Sequence, residues 1–132
     1  MSPQRFAAHG DWRICWCGSL LLVEFCSAFN REGIQNYIQD IKEVVRSREV
    51  SSWQFLAVFE ENALATPEAL EIADGLFNWY HENGCDSYTF VVSNSVQRML
   101  VRKVVVGDFL LFSEKSEALQ WLYQQYDSID LD

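Results

Sequence analysis

From Asp11 to Cys17 the chain alternates, with Trp12, Ile14 and Trp16 on one side and Arg13, Cys15 and Cys17 on the other. This is the period-two pattern of a strand. Gly18-Ser19 signals a turn, and Leu20 to Cys26 reads as a second strand; so short a connection implies an antiparallel hairpin. Asn30 then offers a capping side chain. Ile34, Tyr37, Ile38, Ile41, Val44 and Val45 follow at the spacing of a helix packed on one side, running to about Arg48. Ser51-Ser52 breaks that pattern, and the nearly continuous apolar run Trp53 to Phe59 fits a strand buried on both faces.

Glu60 to Ala65 is polar enough for a loop. Thr66 suits a helix N-cap and Pro67 the first helical position, where its missing N–H costs nothing. The spacing predicts one helix from there to the C-cap signature Asn83-Gly84, with Leu70, Ala73, Phe77 and Tyr80 on one face. Trp79 and Tyr80 are adjacent, so one of them leaves the core and borders a pocket or a dimer contact. Ser87 to Val92 is β-rich, and Ser93-Asn94-Ser95 caps a shorter helix to about Val104. A last strand spans Phe109 to Phe112, and Ser113 caps a final helix whose inward face is Ala118, Leu119, Leu122 and Tyr126. The acidic end, 127–132, is expected to fray. The order β-β-α-β-α-β-α-β-α describes one α/β domain with a mixed sheet over residues 11–126, an N-terminal arm at 1–10 and an acidic tail at 127–132.

Composition narrows the function. The 132 residues are 49% hydrophobic with 2 prolines, which excludes a disordered chain. Ten Lys and Arg against 19 Asp and Glu leave a net charge of −9. That balance argues against nucleic acid as a partner and repels anionic membrane surfaces. The first ten residues lack the apolar stretch of a signal peptide, and the longest apolar run, Leu20 to Val23, is too short to span a bilayer. The expectation is a cytoplasmic protein with Cys15, Cys17, Cys26 and Cys85 reduced.

Candidate chemistry is sparse. His9 and His81 are far apart in sequence, and no second Cys pair or His cluster completes a metal site with Cys15 and Cys17. Glu60 and Glu61, being consecutive, point apart, and no glycine-rich phosphate loop exists. Ser93, Asn94 and Ser95 with Arg98 form a candidate anion site, because a helix start carries free N–H groups. The chain is therefore expected to be no enzyme, and to need neither cofactor nor metal.

Three segments resemble the STAS domain family, the fold of bacterial anti-sigma-factor antagonists, in a divergent STAS-like branch. They are Ala28-Phe29-Asn30-Arg31-Glu32-Gly33, Ala65-Thr66-Pro67-Glu68-Ala69-Leu70 and Glu117-Ala118-Leu119-Gln120-Trp121-Leu122, in an order of elements that covers nearly the whole chain. The resemblance implies a regulatory, protein-binding module of the bacterial cytosol, with the partner or switch region at Glu60, Glu61, Asn62 and Thr66. Where that family's antagonists carry a phosphorylated Asp-Ser-x-Gly segment, this chain has Phe59-Glu60-Glu61-Asn62-Ala63-Leu64-Ala65-Thr66-Pro67, without serine or glycine. Thr66 is committed to capping, and neighbouring glutamates disfavour an added phosphate, so the phospho-serine switch is expected to be missing.

The lipid-binding relatives of the fold leave an alternative, a carrier or sensor of a small apolar ligand. An apolar cavity with one or two polar groups favours the carrier, and a filled core beside a flat apolar surface favours the interaction module. Trp12, Ile14 and Trp16, on a strand without Pro or Lys, are the candidate contact of a homodimer.

Overall fold

The computed structural model describes residues 10–48, 51–105 and 107–131. All of the expected N-terminal arm except Gly10 lies outside the described residues. The hairpin forms as predicted. Strands β1 (Trp12–Cys17) and β2 (Leu20–Phe25) pair antiparallel, from Trp12 opposite Phe25 to Cys17 opposite Leu20. Their turn depends on Gly18, whose φ of +61° is left-handed and where a Cβ would sit 2.2 Å from the Ser128 carbonyl.

Helix α1 (Arg31–Arg48) starts at Asn30, whose side-chain oxygen accepts the Gly33 N–H at 2.8 Å. It leads to β3 (Trp53–Phe59), then α2 (Pro67–Ala73), α3 (Leu76–Glu82), β4 (Cys85–Val91), α4 (Ser95–Val104), β5 (Leu110–Phe112) and α5 (Lys115–Gln125). The five strands lie side by side in chain order, β1-β2-β3-β4-β5, and every pair after the hairpin is parallel. Each crossover steps the same way across the sheet. Right-handed connections then deliver all their helices to one face.

The burial follows that rule. On one face Leu21, Val23, Phe55, Ala57 and Phe90 pack with buried residues of α1, α2, α3 and α4. On the other, Leu20, Leu22, Leu56, Val58 and Val91 pack with buried Ala118 and Leu122 of α5 and Ile129 beyond it, rimmed by partly buried Cys17, Phe112, Leu119, Trp121 and Tyr126. No helix among the described residues is long and apolar enough to cross a membrane.

Four expectations are corrected. The single helix predicted from Thr66 to Asn83 is broken at Asp74-Gly75. Asp74 N–H turns back three residues to the Glu71 carbonyl, Gly75 (φ −82°, ψ −6°) stays right-handed but flattens the turn, and the helix resumes where Trp79 N–H bonds the Gly75 carbonyl. Leu76 and Tyr80 are buried after the break, on the same side as Ala69 before it. The last helix starts after Glu114, not Ser113, and without a side-chain cap.

The acidic end does not fray over residues 127–131. Ile129 is buried, Ser19 N–H donates to the Ser128 carbonyl at 2.9 Å, and Asp130 N–H donates to Cys17 at 3.1 Å. Finally, Trp12, Ile14 and Trp16 do not form a free apolar face, because all three are partly buried against the core. Trp12 donates its indole N–H to Asp40 of α1 at 2.7 Å and lies 5.9 Å from both the Phe29 and Tyr37 rings. Trp16 meets Trp53 edge-on, beneath the Arg48 guanidinium. Of the adjacent pair in α3, Tyr80 is fully buried, and half-buried Trp79 lies under Lys42 and Arg46 of α1.

Candidate functional site

Parallel pairing brings the C-terminal ends of β3 and β4 together, with Val58 beside Val91. The segments that follow them, Glu60–Ala65 and Ser93–Ser95, therefore meet, joining two regions that the sequence presented separately. Ser93 Oγ donates to the Phe59 carbonyl at 2.8 Å, and Asn94 Nδ2 to the Glu61 carbonyl at 3.2 Å. Gln97 of α4, 2% exposed, holds the centre. Its Nε2 donates to the carbonyls of Glu60 (2.6 Å) and Ala63 (3.2 Å), while its Oε1 accepts the Ser93 N–H at 2.7 Å.

The other side of the loop is tied just as closely. Glu60 N–H donates to Phe25, Phe29 N–H to Leu64, and Thr66 N–H to Phe29, so the loop is stitched to the end of β2 as well. The side chains of Glu60, Glu61 and Asn62 remain exposed on this frame. Glu60 reaches Arg13 of β1 at 3.7 Å, and Arg13 also contacts Glu24, which pairs with Lys115 at 3.2 Å.

Gln97 carries the arrangement and escaped the sequence reading. Its signal was the spacing Asn94-x-x-Gln97, which is that of a capping box. Thr66 does what its sequence implied: its Oγ1 accepts the Ala69 N–H at 3.2 Å and caps α2. The anion cradle expected at Ser93, Asn94, Ser95 and Arg98 is occupied by the chain itself. Asn94 Oδ1 takes the Gln97 N–H at 2.9 Å, Gln97 takes the Ser93 N–H, and the Ser93 hydroxyl and Asn94 amide are spent on the loop.

Two of the thiols, Cys85 and Cys17, are poor nucleophiles. Burial pushes Cys85 up to about 12. Burial, with Cys15 alongside at 3.7 Å between sulfurs, pushes Cys17 to about 11. Both stay protonated at neutral pH, where a thiol is a weak attacking group. Among the described residues no three His, Cys, Asp or Glu side chains are placed to hold a metal ion.

Behind the loop lies a cavity of about 120 Å³ between the sheet and helices α1 to α4. Ala63, Leu64 and Ala65 of the loop form one wall and Gln97 another, with Phe55 and Phe90 of the sheet opposite. The tyrosines of its lining, Tyr37 and Tyr80, bond each other through their hydroxyls at 2.9 Å, and burial raises the pKa of both. The place of this cavity could not be read from the residues alone, since the alanines of β3, the loop and α2 look like ordinary packing residues.

No protein-family model matches this sequence, and no curated protein is significantly similar to it. Solved structures are similar in shape. The unphosphorylated form of the anti-sigma factor antagonist SpoIIAA superposes with a TM-score of 0.61 at 9% identity, covering 89% of this chain and 98% of that one. An uncharacterized protein of the DUF3478 family from Shewanella loihica PV-4, described as having a SpoIIAA-like fold, gives 0.57 at 14% identity over 92% and 99%. With its opening hairpin, its parallel strands in chain order and its single domain, the chain has the SpoIIAA-like fold, a STAS-like fold as its three sequence segments implied.

Proposed function

We propose that the chain is a non-enzymatic STAS-type regulatory module of the bacterial cytosol, which binds a protein partner through the loop Glu60–Asn62 and the adjoining start of α4. The observation that carries this reading is the frame around the loop: Gln97, Ser93 and Asn94 fix its carbonyls from beneath while the carboxylates of Glu60 and Glu61 face outward. A surface fixed before binding loses little conformational entropy on association, and two carboxylates suit a basic partner surface. The likeness of fold to an anti-sigma factor antagonist supports a regulatory role. Thr66 is engaged as a cap, which supports a module that works without the phospho-serine switch.

The test is a photo-crosslinker placed at Asn62 in cells of the host. Glu60→Lys with Glu61→Lys should abolish the cross-linked partner, whereas Glu117→Lys, on exposed α5, should keep it. A partner retained by the double loop variant refutes the surface. The second reading, a carrier or sensor of a small apolar ligand, is favoured by one observation, the apolar cavity whose wall is this same loop.

A further inference from the structure

We propose that the cavity behind the loop binds one small, uncharged molecule with an apolar body no larger than about a single aromatic ring, and that its occupancy adjusts how the loop is held. The space persists for a reason visible in its walls. Ala57, Ala63, Ala65, Ala69 and Ala73, from β3, the loop and α2, contribute only methyl groups that cannot reach across it. Opposite, Phe55, Phe77, Tyr80 and Phe90 brace one another, with Phe77 edge-on to Tyr80 at 5.5 Å and to Phe90 at 6.0 Å, and Phe55 edge-on to Phe77 at 6.2 Å. Short side chains on one side and interlocked rings on the other hold the gap open between them. Dry apolar cavities of about 150 Å³ take up benzene or xenon, and this one is of that order.

The lining also sets the chemistry. Among the described residues no Lys, Arg, His, Asp or Glu contributes to it, so an ionised ligand would meet no counter-charge from them. The amide of Gln97 is spent on the loop, and the two tyrosine hydroxyls share one hydrogen bond, which leaves at most one hydroxyl proton for a ligand. The ligand is therefore recognised chiefly by shape and dispersion, and a long fatty acid fits neither the volume nor this uncharged lining.

Leu64, 39% exposed, is the one lining residue that reaches well into solvent, which places the entrance at the loop. Gln97 both lines the cavity and donates to the carbonyls of Glu60 and Ala63. A guest pressing on Ala63, Leu64 or Gln97 thus acts directly on the loop frame. Only the regulatory meaning of that coupling rests on the loop being the partner surface; binding itself does not.

Toluene is the probe, titrated into the full chain labelled at alanine methyls and backbone amides and followed by NMR. The expected result is saturable shifts at the Ala57, Ala69 and Ala73 methyls, with the Glu60, Glu61 and Asn62 amides moving along the same binding curve. Octanoate at equal concentration should leave the methyls unmoved. Ala69→Leu and, at a half-buried site more tolerant of bulk, Ala73→Leu should each weaken toluene by at least about tenfold, the scale set by a misplaced methylene in an apolar pocket. Absence of saturation up to the solubility of toluene, unchanged affinity in a folded variant, or equal binding of octanoate overturns the site. Saturating methyl shifts beside unmoved loop amides overturn the coupling. None of these outcomes depends on a protein partner, so they are separable from a failure of the cross-linking test.

Discussion

Replacing Gln97 by Met keeps the volume of the side chain and removes its hydrogen bonds, to the Glu60, Glu61 and Ala63 carbonyls and from the Ser93 N–H. A buried hydrogen bond contributes about 1 kcal/mol net, and a buried group left without a partner costs about 1–3 kcal/mol. Glu60 and Ser93 are exposed and can regain water, but Ala63 is 6% exposed and its carbonyl cannot readily do so. The expected loss is about 2–4 kcal/mol, a large share of the stability of a domain of this size. Urea unfolding, followed by far-ultraviolet circular dichroism and tryptophan fluorescence, should show the midpoint fall by about 1–2 M with unchanged slope, since the surface exposed on unfolding stays the same. Native-state hydrogen exchange should show the Ala63 and Leu64 amides losing protection first. A loss below about 0.5 kcal/mol, or exchange no faster in the loop than in β3, would refute the idea that Gln97 holds this frame together.

Thr66→Ala removes the Oγ1 acceptor of the Ala69 N–H and should cost about 1 kcal/mol in the same urea assay, whereas Thr66→Ser should restore most of it. Cys85 stays a thiol to about pH 12 in the fold because it is buried, and its ordinary value is 9.0. The unfolded chain therefore holds fewer protons than the folded one between those values. The stabilising contribution is complete below pH 9.0 and is lost as pH rises toward about 12. Unfolding free energies from urea melts between pH 8.5 and 11 should fall less steeply for Cys85→Ala than for the parent, by up to about 1.4 kcal/mol per pH unit. Trp12→Glu sets a carboxylate beside Asp40 and empties a site between Phe29 and Tyr37, so about 3–5 kcal/mol should be lost and the chain should melt rather than dissociate; a folded variant that light scattering finds halved in mass would refute this.

What the sequence disclosed was whatever neighbours in the chain decide. Asn30 and Thr66-Pro67 mark their helix starts because a cap is made within three residues. The hairpin shows itself because Gly18-Ser19 lies between two strand patterns. Strand order is not written that way, since alternation tells which side chains face in but not which strand lies alongside. The kink at Asp74-Gly75 was hidden because the apolar positions keep helical spacing across it. Trp12 looked exposed because nothing local says that Asp40, 28 residues on, will accept its N–H. Gln97 looked like one more polar residue on a helix. Its role appears only when β3 and β4, paired in parallel, bring the 60–63 carbonyls over it.

The contact between the first turn and residues 128–130 has a kinetic meaning. Ser19 and Ser128 are 109 positions apart, yet their hydroxyls are 2.6 Å apart, and Gly18 bridges Ile129. The hairpin itself closes over two residues and can form in microseconds, and Arg48 and Gln54 can then bond its turn, but the contact with residues 128–130 waits until α5 has laid down on the far face of the sheet and Ile129 joins the cluster around Leu20. Closing so long a loop is entropically slow to reward. The earliest-made turn of the chain is thus among the last to be finished: a synthesis intermediate stalled before Ile129 leaves the β1–β2 end of the sheet unlatched, where an added strand from another chain finds open backbone.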